Sequence, residues 1–73
     1  MIEKERPVLI HINGKDQPFV SACTLLDLLE QLGFNPARIA LELNGDIVAR
    51  DAFAQTLLHD GDHVEIVQFV GGG

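Results

Sequence analysis

The sequence has few basic residues, no tryptophan, no tyrosine and a single cysteine, and these scarcities exclude several classes of function. Five lysines and arginines stand against eleven aspartates and glutamates, so a net charge of −6 makes nucleic acids and anionic membranes poor partners. The lone Cys23 cannot form an internal disulfide, which favours a reducing compartment. No run of about 18 apolar residues is present to form a membrane-spanning helix. We therefore expect a cytoplasmic protein that binds neither nucleic acid nor a membrane.

The length permits one small domain. With 73 residues, 47% of them hydrophobic, the chain can bury a single compact core but has few side chains left for a deep active-site cleft. The composition divides the chain into a charged N-terminal extension (1–6), a folded domain (7–70) and a flexible C-terminal glycine tail (71–73).

Alternating apolar residues predict the strands. Asn13-Gly14 between two β-prone segments is typical of a hairpin turn, and Pro18 places the returning strand at a sheet edge. The predicted strands are Pro7–Ile12, Gln17–Ser21, Ile39–Leu43, a short Ile47-Val48 and His63–Val70.

One amphipathic helix is predicted between the hairpin and the third strand. Its apolar stripe consists of Leu25, Leu28, Leu29 and Leu32. Thr24 is a suitable N-cap with Asp27 in the first turn, and Gly33 stands at the usual C-terminal position. A short helix or 3₁₀ turn is predicted over Asp51–Leu58. One helix stripe on one sheet face indicates a two-layer α+β domain.

The residues that suggest metal or thiol chemistry have simpler interpretations. His59 and His63 have the spacing of helical metal ligands, but Asp60-Gly61-Asp62 between them breaks a helix, so we expect surface histidines beside a turn and no metal site. The aspartates lack the other ligands of a calcium loop. Cys23 precedes the helix and is more typical of a small buried hydrophobe than of a reactive thiol.

The last strand carries an unusual outward face. If Val64 and Ile66 face the core, then Glu65, Val67 and Phe69 point outward, because side chains alternate along a strand. Val67 and Phe69 are therefore candidates for partner docking; a covering loop or a register slip are the alternatives. Leu9 and Ala40 join this face if their strands are neighbours.

The chain ends in Gly71-Gly72-Gly73, which have no side chains to contribute to a core. A frayed end or a cloning remnant would explain glycines alone. An extended tail of three residues, however, reaches roughly 10 Å beyond the strand and fits a channel that any Cβ would block. The terminal carboxylate is a poor electrophile, so a partner that uses ATP must activate it, for example as an acyl-adenylate.

Together these residues resemble the ThiS family of sulfur carriers of thiamine biosynthesis. The resemblance covers residues 7–73. It is carried by the Asn13-Gly14 hairpin, the leucine-rich helix ending at Gly33, and the segments 43–50 and 58–67 followed by the terminal glycines. It implies a ubiquitin-like β-grasp fold, a mixed sheet with one main helix packed on one face. The last strand is then central, beside the first.

The resemblance also implies a sulfur-transfer cycle in which the chain is a co-substrate and not an enzyme. A ThiF-like enzyme adenylates Gly73 with ATP, and sulfur from a donor such as a cysteine desulfurase converts the adenylate to a thiocarboxylate. Gly71 and Gly72 present this end, and a ThiG-like thiazole synthase receives the sulfur. No cofactor is bound by the carrier itself.

Three alternatives remain open at this point. The small subunit of molybdopterin synthase also ends in Gly-Gly, although it often has prolines where Gln68-Phe69-Val70 stand here. A plain interaction module would dock through Val67 and Phe69, and its tail would be incidental. A ubiquitin-like protein conjugated to lysines would share the activation chemistry.

Overall fold

The computed structural model describes residues 7–20 and 23–69. The elements in chain order are β1 (Pro7–Ile12), β2 (Lys15–Val20), α1 (Leu25–Leu32), a 3₁₀ helix (Pro36–Arg38), β3 (Ile39–Leu43), β4 (Asp46–Val48), a second 3₁₀ helix (Arg50–Gln55) and β5 (His63–Gln68). The predicted extension (1–6) and glycine tail (71–73) lie outside the described residues, as do Ser21 and Val70.

The strands form one mixed five-stranded sheet in the order β2-β1-β5-β3-β4. β1 and β5 are parallel, and the other neighbouring strands are antiparallel. The predicted edge position of Pro18 is confirmed, because β2 is the outermost strand. The central position of the last strand beside the first is confirmed as well. The sheet and its single main helix form the ubiquitin-like β-grasp fold.

Two Asn-Gly turns connect the antiparallel pairs at opposite sides of the sheet. Asn13 and Gly14 have φ of 49° and 84°, and Asn44 and Gly45 have φ of 53° and 90°. A two-residue turn with both central φ values positive matches the right-handed twist of the strands it joins. Asparagine tolerates this conformation better than most residues, and glycine adopts it freely.

The helix α1 begins and ends at the predicted residues. The Thr24 hydroxyl accepts the backbone N–H of Asp27 at 3.1 Å, and the Asp27 carboxylate accepts the N–H of Thr24 at 3.0 Å. This reciprocal capping box satisfies two donors that the helix leaves unpaired. Gly33 is the C-cap with φ of 84°.

The core lies between α1 and one face of the sheet. Leu25, Leu28 and Leu29 are completely buried, and Leu32 packs at the margin of the core. The buried residues are Val8, Ile10, Ile12, Phe19, Cys23, Leu25, Leu28, Leu29, Ile39, Leu41, Phe53, Leu58, Val64 and Ile66. Successive strand residues point to opposite faces of a sheet. The strand residues that alternate with the buried ones therefore lie on the other face, which we call the outer face.

Several predicted boundaries were wrong. β2 begins at Lys15 and not at Gln17, β4 begins at Asp46 and not at Ile47, and the second 3₁₀ helix begins at Arg50 and not at Asp51. β5 ends at Gln68 and not at Val70, and the second 3₁₀ helix ends at Gln55 and not at Leu58. The residues after Gln55 are drawn out of helical geometry because their backbone groups bond the start of α1. Leu25 donates to the carbonyl of Thr56 at 2.9 Å, and Leu58 donates to the carbonyl of Cys23 at 2.9 Å.

Candidate docking face and C-terminal strand

The amide side chain of Asn13 extends the pairing of β5 beyond the end of β1. Its Oδ1 accepts the backbone N–H of Ile66 at 2.7 Å, and its Nδ2 donates to the carbonyl of the same residue at 3.1 Å. The turn thus supplies a donor and an acceptor where β1 has no further residue beside β5. Sequence reasoning identified Asn13 as a turn residue but missed this contact, because Ile66 lies 53 positions away.

Asn44 holds the other flank of β5 in a similar way. Its Oδ1 accepts the N–H of His63 at 2.9 Å, its Nδ2 donates to the Asp62 carboxylate at 3.1 Å, and its backbone N–H donates to the carbonyl of His63 at 2.7 Å. The two Asn-Gly turns therefore fix β5 from both sides. This strand precedes the C-terminal glycines in sequence, so its position determines where the chain leaves the sheet.

The Asp60-Gly61-Asp62 segment is a structural turn, as predicted. Asp60 accepts the N–H of Leu9 at 2.7 Å, and the second oxygen of Asp62 accepts the N–H of His59 at 2.8 Å. Both carboxylates are used by backbone donors, which ties the turn to β1 and fixes the start of β5.

His59 and His63, which flank the turn, have different surroundings. His59 is exposed beside the turn, whereas His63 lies on the outer face and stacks on His11 with ring centroids 4.4 Å apart. His11 in turn hydrogen-bonds the carboxylate of Asp16. Among residues 7–20 and 23–69, no group of three or more histidine, cysteine or carboxylate side chains is arranged to hold a metal ion.

Val67 and Phe69 are exposed, as predicted, with 60% and 56% of their surface accessible. Ala40 lies directly opposite Val67 in the β3–β5 register and belongs to this patch. The expectation that Leu9 joins it was wrong. β1 and β5 are neighbours, but their parallel register places Leu9 beside Gly61, whose N–H donates to the Leu9 carbonyl at 2.8 Å, at the far end of β5 from Val67.

The backbone of Phe69 is fixed although its side chain is exposed. Its N–H donates to the carbonyl of Arg38 at 2.9 Å, one residue beyond the end of β5. An aromatic ring on a restrained backbone loses little conformational freedom on binding, which makes it a good anchor for a partner. A docking role for Val67 and Phe69 stays a prediction.

Cys23 is buried, with 6% of its surface accessible, and lies in the core cluster. Its sulfur accepts a weak hydrogen bond from Gln31 at 3.6 Å. The interpretation as a small buried hydrophobe is therefore confirmed.

These features define a small ubiquitin-like domain that presents exposed apolar side chains at the end of its C-terminal strand. The family model described as "ThiS family" matches residues 10–73. The chain belongs to the ThiS family of sulfur carriers.

Three relatives illustrate the match. The sulfur carrier protein ThiS of Escherichia coli is 42% identical over 64 residues, which cover 88% of this chain and 97% of that protein. The crystal structure of ThiS from Geobacter metallireducens superposes with a TM-score of 0.78 at 33% identity and covers 90% of this chain and all of that one. A thiazole synthase of Paramagnetospirillum magneticum is 42% identical over 62 residues, but the chain spans only 19% of its length.

The helices of the described residues are too short to cross a membrane.

Proposed function

We propose that the protein carries sulfur for thiazole formation in thiamine biosynthesis, as a thiocarboxylate on Gly73. The observation that carries this proposal is the family match, which continues to Gly73 and so includes the terminal glycines. The central strand ends at Gln68, so only a short segment separates the restrained sheet from the reacting end. The small ThiS proteins of other organisms favour the thiamine pathway over a molybdopterin role.

The chemistry follows from the poor reactivity of a carboxylate. The Gly73 carboxylate attacks the α-phosphorus of ATP on a ThiF-like enzyme, and pyrophosphate leaves. A persulfide sulfur, supplied by a donor such as a cysteine desulfurase, then attacks the acyl carbonyl and displaces AMP. A thiol cleaves the resulting acyl disulfide, which leaves the thiocarboxylate on the carrier. ATP and catalytic groups belong to the partners in this proposal, and the carrier holds no cofactor.

A thiazole synthase is the proposed sulfur acceptor. The support is the thiazole synthase of Paramagnetospirillum magneticum, in which a segment similar to this chain makes up about a fifth of the protein. The carrier segment and a synthase thus occur in one polypeptide in that organism. The single cysteine fits reducing conditions, which supports a cytoplasmic location for the proposed cycle.

Intact-mass spectrometry tests the proposal. After incubation with an adenylating enzyme, ATP, cysteine and a desulfurase, the mass of the carrier should rise by the difference between sulfur and oxygen. Deletion of Gly73 should abolish the gain, because the new C-terminal carbonyl lies about 3.5 Å short of the original one. The thermal unfolding midpoint of the deletion variant serves as the control for folding and should equal that of the wild type.

Two results would contradict the proposal. One is no mass gain with enzymes that load the Escherichia coli carrier in parallel. The other is an equal gain by the deletion variant, which would show that the position of the terminal glycine has no role.

A further inference from the structure

An acidic pair interrupts the apolar surface of the outer face. Glu42 of β3 and Glu65 of β5 are direct antiparallel partners, and Ile47 of β4 is the partner of Glu42 on its other side. Directly opposed residues of antiparallel strands share a face, with Cβ atoms about 4.5–5.5 Å apart. Ile47, Glu42 and Glu65 therefore form one row across three strands.

The described residues provide no cation to neutralise this pair. The ion pairs between described side chains are His11 with Asp16 and His59 with Asp62, and neither includes a lysine or arginine. Like charges directly opposite each other in a sheet are destabilising. Within residues 7–20 and 23–69, the fold thus leaves two like charges side by side on an exposed face, in a chain whose net charge is already −6.

Apolar residues lie on two sides of the glutamate pair. Ile47, with 77% of its surface accessible, lies at one end of the row, and Val67 and Ala40 form the next row towards Phe69. A protein that covers these apolar groups also removes water from the two carboxylates. Burying uncompensated charge is costly, so a partner of this face must bring a cation to the pair.

We infer that the outer face docks a thiazole synthase through one basic side chain that inserts between Glu42 and Glu65 and is flanked by apolar side chains against Ile47 and Val67. This inference rests on the proposed function and specifies the contact surface of its acceptor enzyme. Arginine suits the position best, because its planar fork can donate to two carboxylates at once. The thiazole synthase of Paramagnetospirillum magneticum contains a segment similar to this chain, which favours a thiazole synthase as the partner of this face.

Reversing the charge of Glu42 should change the stability of the carrier and its affinity for the synthase in opposite directions. Glu42→Lys places a cation opposite Glu65, so the unfolding midpoint of the free carrier should rise by about 1–8 °C. The same lysine occupies the place of the partner's cation, so the Kd for a purified thiazole synthase should increase at least about tenfold. Glu30→Lys changes an exposed residue of helix α1, which packs on the opposite face of the sheet. It makes the same change in net charge and should leave the Kd within about twofold.

The measurement is titration calorimetry with the unloaded carrier at two salt concentrations, accompanied by the sulfur-loading assay. Binding by wild type should weaken as salt rises. Equal Kd values for the wild type and Glu42→Lys would overturn the inference, as would equal losses in Glu42→Lys and Glu30→Lys, which would indicate net charge alone. Loss of loading with unchanged synthase affinity would assign the face to the adenylating enzyme instead. A wild-type carrier that binds the synthase but never gains sulfur would refute the proposed function and leave the docking inference intact.

Discussion

The side-chain amide of Asn13 forms both a donor and an acceptor hydrogen bond with the backbone of Ile66, at 3.1 and 2.7 Å. A side chain of the turn thereby forms the two hydrogen bonds that the backbone of a further strand residue would form with β5. The contact is partly buried, so water replaces it poorly when it is removed. The position of the strand that leads to the C terminus therefore depends on a side chain in the first hairpin.

We expect Asn13→Gly to lower the free energy of unfolding by about 1–3 kcal/mol, because the N–H and carbonyl of Ile66 lose their partners. Glycine tolerates the positive φ of this position, so the turn itself is preserved. Urea denaturation measures the loss, and amide hydrogen exchange should show faster exchange at Ile66.

Asn35→Gly is the matched control for this substitution. Asn35 caps the first 3₁₀ helix by accepting the N–H of Ala37 at 3.0 Å, a contact within its own segment. Its replacement should cost only a few tenths of a kcal/mol, as for a glycine N-cap. Equal stability losses at positions 13 and 35, or unchanged exchange at Ile66, would show that the long-range contact contributes little.

Phe69→Ser tests whether the exposed apolar patch docks a partner. The affinity for a purified thiazole synthase should fall at least about tenfold, because an aromatic anchor of an interface is removed. The free energy of unfolding should change by no more than about 1 kcal/mol, since more than half of the ring is exposed. Surface plasmon resonance and thermal denaturation measure the two quantities.

Leu57→Ser is the control for Phe69→Ser. Leu57 is similarly exposed, at 48%, but it pairs with Thr24 at the start of α1 and lies away from the outer face. It should leave the affinity unchanged. If both variants bind as the wild type does, the patch has no docking role; if both weaken binding alike, general surface hydrophobicity is responsible.

Thr24→Ala should destabilise the domain by about 1 kcal/mol, because it removes the hydroxyl that accepts the Asp27 N–H in the capping box. Thr24→Ser retains the hydroxyl and should remain within a few tenths of a kcal/mol of the wild type. Urea titration of the three proteins distinguishes the cap from other effects of the side chain. A serine variant as unstable as the alanine variant would locate the effect in the lost methyl group.

The helix and the turns could be predicted from local sequence. The leucine stripe, the Thr24 cap and Gly33 lie within a few residues of the contacts they make, so their spacing alone placed α1. Both Asn-Gly turns were likewise recognisable because φ preference is a property of the residues themselves. The outward direction of Val67 and Phe69 followed from alternation along a single strand.

The register between strands depended on the tertiary structure. Alternation has a period of two, so a slip of two residues keeps every side chain on its face and leaves the pattern unchanged. The pattern therefore could not tell that Leu9 lies far from Val67, that Glu42 faces Glu65, or that Asn13 reaches Ile66. The sequence alone determined which residues face outward and how the chain ends. Long-range strand pairing decided which of those residues share one surface.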